Sequence, residues 1–249
     1  MREPHRYEEL LPEEFYAELN RAPVAYFGAG AMEEHGLHNA LGVDPYIAYE
    51  VCLRAAAIAG GVVFPPVPFA PAGVPGYSRQ ELRSGRYNLY PPSLWVSREL
   101  CRQLYLELME SMADLGFRAC IGFGGHWPAD LLLAELSEEL GGVVRGMRFW
   151  GGGLVTLLRD SLDAIEAEHP GATGHGMLWE TSLVMAMRPD WVEAERARHI
   201  KTNPLDSQLK GQPEERLEEI AVSAGADWGR HWLDQAAERL AEISRGLLH

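Results

Sequence analysis

One short segment combines carboxylate and imidazole side chains at a spacing that suits metal binding. Residues 26–44, YFGAGAMEEHGLHNALGVD, hold Glu33, His35 and Asp44. They offer two oxygen donors and one imidazole, a set suited to Zn, Mn or Fe. In an extended segment Glu33 and His35 point to the same side, and the glycines that follow let the chain loop back to Asp44. For this segment alone, an ordinary polar loop remains the alternative.

Two later segments carry further histidines flanked by glycine. The segment GFGGHWPAD places His126 after a run of strand character. The segment GATGHGMLWETS places His175 in a glycine-rich loop, and Glu180 follows five residues later at the start of an expected helix. A single histidine is more often a surface or core residue than a ligand. Three such segments in one chain favour a metal site over three unrelated loops.

The glycines of the first segment also suggest a dinucleotide-binding loop. Gly28 and Gly30 follow an apolar run, as in a phosphate-binding fingerprint. That fingerprint needs a third glycine and an immediate helix, whereas Glu33 occupies the third position and would repel a pyrophosphate. The acidic residue that would bind the ribose after a second strand is also missing, because GVVFPP ends in prolines. The sequence therefore favours metal binding at this segment.

The elements that must position these residues alternate along the chain. Apolar runs predict strands at 24–28, 61–64, 117–125 and 143–150. Helical periodicity predicts helices at 12–19, 45–59, 93–116 and 129–141, with mainly helical structure over 214–244. Alternating strands and helices indicate an α/β fold with a mostly parallel sheet that is flanked by helices. Without a linker or repeat, residues 1–249 are expected to form a single domain.

This topology brings two of the polar segments together. Ligands of open parallel sheets collect beyond the carboxyl ends of the strands. The segment from Glu33 to Asp44 follows the first predicted strand, and His126 follows the third. We therefore expect the two segments to meet at one edge of the sheet.

Composition limits the classes of partner. The chain has 249 residues and a formal net charge of −14, which argues against nucleic acid as a ligand. Three cysteines without close spacing predict free thiols in a reducing compartment. The N-terminal region lacks an apolar signal segment, and the most apolar stretch is broken by proline and glycine. We expect a cytoplasmic protein with no membrane association.

The three polar segments resemble the motifs of the creatininase (creatinine amidohydrolase) family. EEHGLH, with Asp44 nine residues after His35, is similar to the family's E-Q-H-G-P-H motif and its following aspartate. HGMLWETS, from His175 to Ser182, is similar to H-A-G-E-x-E-T-S. GGHWPA around His126 is similar to N-G-H-G-G-N but lacks both asparagines. The resemblance runs from about residue 8 to the final helix.

The resemblance implies a dinuclear metal site in a Rossmann-like layered α/β fold, often assembled into hexamers. It implies that Glu33 and His126 hold one divalent ion, that His35 and Glu180 hold the other, and that Asp44 bridges both. Zinc is the first expectation for the two ions, with manganese or iron as alternatives. Creatininase takes a carboxylate two residues after the second-motif histidine, where this chain has Pro128, so Glu180 is the natural substitute.

The implied activity is hydrolysis of the C–N bond of a small amide, cyclic or open, by a hydroxide held between the two metals. His175 is the expected acid that protonates the departing nitrogen. Trp127 and Trp179 flank ligands and are expected to line the substrate pocket, with core packing as the alternative for each. Tyr77, in the long loop that replaces the family's F-P-G-T segment, is a further expected substrate contact.

Two other functions remain open at this stage. One keeps the metals and changes the substrate, as in a formamide deformylase or a peptidase of the same family. The other is a non-catalytic scaffold that binds a small ligand, which the altered second motif favours and the presence of all five expected ligands opposes. For an amidohydrolase, a deformylase or a peptidase, the partner is a small-molecule amide or a modified peptide. The resemblance also implies a homo-oligomer.

Overall fold

The computed structural model describes residues 5–73, 80, 93–199 and 213–249. Its centre is a five-stranded sheet with the strand order β2-β1-β3-β5-β4. The strands are β1 Val24–Ala29, β2 Val62–Val67, β3 Ala119–Gly124, β4 Val143–Val144 and β5 Met147–Gly153. The pairs β1–β2, β1–β3 and β3–β5 are parallel, and only the short β4 runs antiparallel to its neighbour β5. The predicted α/β class with a mostly parallel sheet is confirmed.

Helices cover both faces of this sheet. They are α1 Pro12–Arg21, α2 Val43–Ala59, α3 Arg98–Asp114, α4 Trp127–Glu139, α5 Leu154–Leu157, α6 Arg159–Glu168, α7 Leu178–Met187, α8 Glu214–Val222 and α9 Ala226–Leu247. Short 3-10 helices span Tyr7–Glu9, Pro189–Trp191 and Ala194–His199. Within the described ranges no helix is both long and apolar enough to cross a membrane.

The central strands are buried on both faces, and their alternation divides the core in two. Val24 and Tyr26 of β1 pack in one hydrophobic cluster, with residues of α2, α7 and α9. Ala25 and Phe27 of the same strand pack in the other cluster, with residues of α3 and α4. Successive side chains of a strand point to opposite faces, so a continuous apolar run such as VAYF serves both layers.

One predicted strand proves to be a hairpin. The run at 143–150 splits into β4 and β5, with Val144 paired to Met147. The two residues between them, Arg145 and Gly146, have φ values of 49° and 85°. Positive φ at both central positions is what the type I′ turn between antiparallel strands requires. The chain therefore reverses at Arg145 rather than continuing straight.

The long helix predicted from residue 93 begins five residues later. Helix α3 starts at Arg98, and the side chain of Ser97 accepts a hydrogen bond from the Leu100 N–H at 3.2 Å. Such an N-terminal cap ends the preceding extended chain. The residues before it cross the end of β1 instead, because the Leu94 N–H donates to the Met32 carbonyl at 2.7 Å.

Candidate metal centre

Helix α2 packs directly against the end of β1, and this contact places Asp44. A Cβ added to Gly30 would lie 2.6 Å from the Cβ of Asp44, and one added to Gly28 would lie 2.7 Å from the Tyr49 nitrogen. Neither position leaves room for a side chain. The glycines that resemble a phosphate-binding loop therefore allow close helix–strand packing, with Asp44 in the first turn of α2.

The two oxygens of Asp44 face different histidines. Oδ1 lies 2.8 Å from Nε2 of His35, and Oδ2 lies 3.0 Å from Nδ1 of His126. All three side chains are buried. One carboxylate thus lies between two imidazoles from the segments that follow two neighbouring strands.

Glu33 and Glu180 complete the two sides. Glu33 Oε1 lies 3.2 Å from Nδ1 of His126, and Glu180 Oε2 lies 3.7 Å from Nε2 of His35. Two groups of possible ligands result, one formed by Glu33, Asp44 and His126 and the other by His35, Asp44 and Glu180. In each group the ligand atoms lie within 4.8 Å of one another, and the groups share Asp44.

Each histidine of the site has one ring nitrogen on a backbone carbonyl. His126 Nε2 lies 2.9 Å from the Pro71 oxygen, and His35 Nδ1 lies 3.1 Å from the Glu33 oxygen. In the neutral ring an N–H that donates to the carbonyl leaves the lone pair of the other nitrogen facing the carboxylates. This is the usual arrangement of a histidine that binds a metal.

The third histidine, His175, lies beside the two groups. Its Nε2 contacts the Glu34 carbonyl, and its Nδ1 lies 4.0 Å from both Glu33 Oε1 and Glu180 Oε2. Its ring is stacked at a tilt on His35, with centroids 4.2 Å apart. His175 also forms a group of possible ligands with Glu33 and His35. It is more exposed than the other two histidines.

Charge–charge contacts shift the pKa values of the cluster strongly. Burial alone would lower the pKa of His35, but the carboxylates of Asp44 and Glu180 raise it to about 10. Burial likewise opposes protonation of His126, yet Glu33 and Asp44 hold its pKa well above the ordinary value. Conversely, burial acts to raise the pKa of Asp44 and Glu33, and the nearby histidines lower it in both cases. The carboxylates around His35 and His126 therefore favour a positive charge between them, either a proton or a metal ion.

The donor set fits divalent metal ions. Among the described residues, His35 Nε2 and Asp44 Oδ2 are buried atoms that make no hydrogen bond, although charged partners lie within about 3 Å. The two atoms thus have close charged neighbours without a hydrogen bond. Lone pairs that converge without hydrogen bonds are what a cation requires, and imidazole with carboxylate is a set used for zinc and other divalent metals.

Hydrogen bonds join the loops that carry the first and third segments. His38 Nε2 lies 2.9 Å from Thr181 Oγ1, and the Thr181 hydroxyl donates to the Gly176 carbonyl at 3.0 Å. Asn39 donates to the His35 carbonyl at 3.0 Å. Burial lowers the pKa of His38 to about 4, so this ring is neutral near pH 7. Thr181, in the ETS part of the third segment, thus contacts His38 of the first segment, and the sequence did not suggest this contact.

The expected substrate contacts have different surroundings. Trp127, directly after His126, is 46% exposed at the start of α4. Trp179 is buried in the core, with its ring 4.6 Å from that of Trp232, as in the core-packing alternative. Tyr77 lies outside the described residues. Glu34 joins neither ligand group that contains Asp44, and its Oε1 accepts the Gly36 N–H at 2.7 Å.

One residue of the site was not anticipated. The indole Nε1 of Trp95 donates to Glu33 Oε2 at 2.5 Å, and both side chains are buried. Trp95 lies in the stretch that helical periodicity had assigned to α3. Its contact with Glu33 joins residues far apart in the sequence, and no local pattern marks it.

Comparison with known proteins gives a consistent family. A model of the creatininase family, described as creatinine amidohydrolase, matches residues 8–244. A creatinine amidohydrolase of Pseudomonas putida is 26% identical over 185 residues, which cover 70% of this chain and 67% of that protein.

Solved structures share the fold. One described as "Creatininase Mn" has a TM-score of 0.71 at 22% identity and covers 97% of both chains. A mutant creatininase of "Zn-Zn type" has a TM-score of 0.70 at 23% identity, covering 99% of this chain and 98% of its own. A putative creatinine amidohydrolase from Bacteroides fragilis has a TM-score of 0.70 at 16% identity, covering 99% of this chain and 97% of its own.

Proposed function

The chain belongs to the creatininase family, and we propose that it hydrolyses the C–N bond of a small cyclic amide at a centre of two divalent metal ions. The predicted class of activity, a metal-dependent amidohydrolase, agrees with this family. One observation carries the two-ion proposal: two groups of possible ligands overlap at Asp44, and each of its two oxygens lies near a different histidine.

Each ion has a proposed set of protein ligands. Glu33 and His126 would hold one ion, His35 and Glu180 the other, and Asp44 would bridge them. The manganese and Zn–Zn descriptions of similar structures support divalent ions of this kind. Zinc is our first choice because imidazole and carboxylate together suit it, and manganese or iron remain compatible with the same donors.

When bound, such ions would supply a nucleophile from water at neutral pH and polarise the amide carbonyl. Water adds to the carbonyl carbon, the C–N bond breaks, and the ring opens to a carboxylate and an amine. The leaving nitrogen needs a proton, since an amide anion is a very poor leaving group. His175 is our candidate donor: its Nε2 is anchored on the Glu34 carbonyl while its Nδ1 faces the two glutamates.

We propose creatinine, or a lactam or hydantoin of similar size, as the substrate class. The Pseudomonas putida relative is named for creatinine, and one similar structure is a creatininase complexed with creatine, the ring-opened product. We propose that Trp127, which is exposed beside His126, contacts such a ring, and that Tyr77 is a further substrate contact. The replaced second motif supports a substrate pocket that differs from that of creatininase.

We also propose a domain organisation, an assembly and a cellular location. We propose one domain over residues 1–249, which the family match over residues 8–244 supports. We propose a homo-oligomer, with a hexamer as the first size to test. The cysteines Cys52, Cys101 and Cys120 are all buried free thiols, which supports a reducing compartment such as the cytoplasm.

A substrate screen on metal-loaded protein tests the proposal. The chain is purified, its metal content is measured, and it is incubated with creatinine, hydantoins, lactams and formamides while ring opening or formate release is followed by NMR. We expect bound divalent ions and hydrolysis of a cyclic amide that stops after chelation. Cleavage of formamides alone would identify a deformylase. Bound metal without turnover of any amide would favour the scaffold, and protein that binds no divalent ion would overturn the metal centre.

A further inference from the structure

A short extended segment crosses the end of β1 beside Glu33. The Ser93 hydroxyl accepts the Glu34 N–H at 3.1 Å, and the Leu94 N–H donates to the Met32 carbonyl at 2.7 Å. The next residue, Trp95, donates its indole N–H to Glu33 Oε2 at 2.5 Å. Three successive residues thus bond to three successive residues, and this fixes Trp95 opposite the Glu33 side chain.

The two carboxylate oxygens of Glu33 have different partners. Oε2 accepts the indole N–H, whereas Oε1 lies 3.2 Å from His126 Nδ1. A carboxylate held in this way would present one oxygen to an ion, because the second oxygen is already engaged. Both Glu33 and Trp95 are buried, so water does not compete easily for that hydrogen bond.

The same segment also hydrogen-bonds to the backbone beside Pro71, whose carbonyl contacts His126. The Val96 N–H donates to the Ala70 carbonyl at 3.1 Å, and the next carbonyl, that of Pro71, lies 2.9 Å from His126 Nε2. The segment 93–96 therefore contacts Glu33 directly and the backbone next to the His126 partner.

We infer that Trp95 is a positioning residue for one of the two proposed ion positions, the one formed by Glu33, His126 and Asp44, and that it fixes Glu33 as a ligand through a single oxygen. The inference rests on the proposed metal centre. Outer hydrogen-bond partners of metal ligands typically change metal affinity by about 10- to 100-fold when removed. Loss of the indole N–H should therefore weaken one ion position selectively.

The test is a titration of chelated, full-length protein with Zn²⁺ by calorimetry. Trp95→Phe keeps an aromatic ring and removes the N–H, and Trp232→Phe is the matched control, a buried indole of the core that packs on Trp179. We expect Trp95→Phe to lower the affinity of one of two Zn²⁺ positions by about 10- to 100-fold and to leave the other unchanged. Trp232→Phe should leave both unchanged, even if its melting temperature falls.

A second pair of variants separates positioning from general stability. If Trp95 acts through Glu33, Trp95→Phe should add no further loss of Zn²⁺ affinity in a Glu33→Ala background. A loss that is additive there, or equal at both positions, would overturn the inference while leaving the metal centre intact. A wild-type protein that binds no Zn²⁺ would overturn both.

The wild-type protein offers a test that does not depend on the folding of a variant. With ¹⁵N-labelled tryptophan, the chain has seven indole N–H groups to observe by NMR. We expect Zn²⁺ to shift one strongly hydrogen-bonded indole resonance as it loads, since the accepting carboxylate changes its charge environment. Indole resonances that are all unchanged at full loading would overturn the inference.

Discussion

Gly125 is in contact with the backbone of Asp44, and no side chain fits between them. A Cβ added to Gly125 would lie 2.1 Å from the carbonyl oxygen of Asp44 and 3.3 Å from the Ala48 side chain. The end of β3 thus abuts the first turn of α2. This contact brings the residue after Gly125, His126, within reach of the Asp44 carboxylate.

Gly125→Ala is expected to damage the metal centre without touching a ligand. The added methyl group must displace the start of α2, because its nearest neighbour is backbone, and overpacking of this kind costs about 1–3 kcal/mol. We expect a lower melting temperature together with loss of bound Zn²⁺. Gly246→Ala is the control, since an added Cβ there meets nothing within 4 Å. Unchanged Zn²⁺ binding by Gly125→Ala would contradict the proposed packing constraint.

Asp44→Ala is expected to lose most bound metal, since one carboxylate serves both proposed ion positions. Glu34→Ala is the matched control: its side chain is a near neighbour, but its Oε1 bonds to the Gly36 N–H and it belongs to neither group that contains Asp44. Elemental analysis of both purified variants makes the comparison. Equal metal contents would show that the bridging role assigned to Asp44 is wrong.

The sequence anticipated the site better than its surroundings. Glu33 and His126 meet as expected, because parallel strands bring their carboxyl ends to one edge of the sheet, and this follows from topology alone. Trp95 was hidden because its segment also has helical periodicity, and the cap at Ser97 decides the outcome. Its pairing with Glu33 depends on a long-range approach that no local pattern encodes.

Two further differences have local causes. The turn at Arg145 requires a positive φ at a non-glycine residue, which sequence patterns rarely predict, so the pattern of residues 143–150 indicates one strand where the structure has a hairpin. Trp179 and Glu180 are adjacent on α7, and adjacent residues of a helix face different directions. Once Glu180 points to the site, Trp179 packs in the core against Trp232.

His175→Ala is expected to keep its metal and lose turnover. As a proton donor outside the two ligand groups that share Asp44, its removal should lower kcat by about 10²- to 10⁴-fold on an unactivated amide. The loss should shrink for an activated anilide or ester, whose leaving group needs no proton. His169→Ala, which removes a partly exposed histidine at the end of α6, is the control. Parallel loss of metal and activity would instead identify His175 as a ligand, as its group with Glu33 and His35 allows.

Metal binding is expected to release protons, and its pH dependence follows from the raised pKa values of two ligands. The carboxylates of the site raise the pKa of His35 to about 10 and that of His126 well above its ordinary value. In metal-free protein at pH 7 these shifts favour the positively charged form of both rings, in which each ring nitrogen holds a proton. An ion that binds through these nitrogens must displace that proton. Zn²⁺ affinity should therefore rise with pH throughout the range below the raised pKa of His35 and level off near that pKa.

Calorimetric titrations of chelated protein with Zn²⁺, in buffers of different ionisation enthalpy, measure this release directly. At pH 7 we expect about two protons to leave as two ions bind, one from each ring. The stability of the metal-free protein depends on pH in the opposite direction. A raised histidine pKa stabilises the fold fully below pH 6.5, and this stabilisation is lost as the pH rises through the pKa of the folded state. This loss should lower the melting temperature of the metal-free protein as the pH rises above 6.5, while Zn²⁺ binds more tightly. Zn²⁺ binding with no proton release at pH 7 would show that His35 and His126 are neutral before the metal arrives.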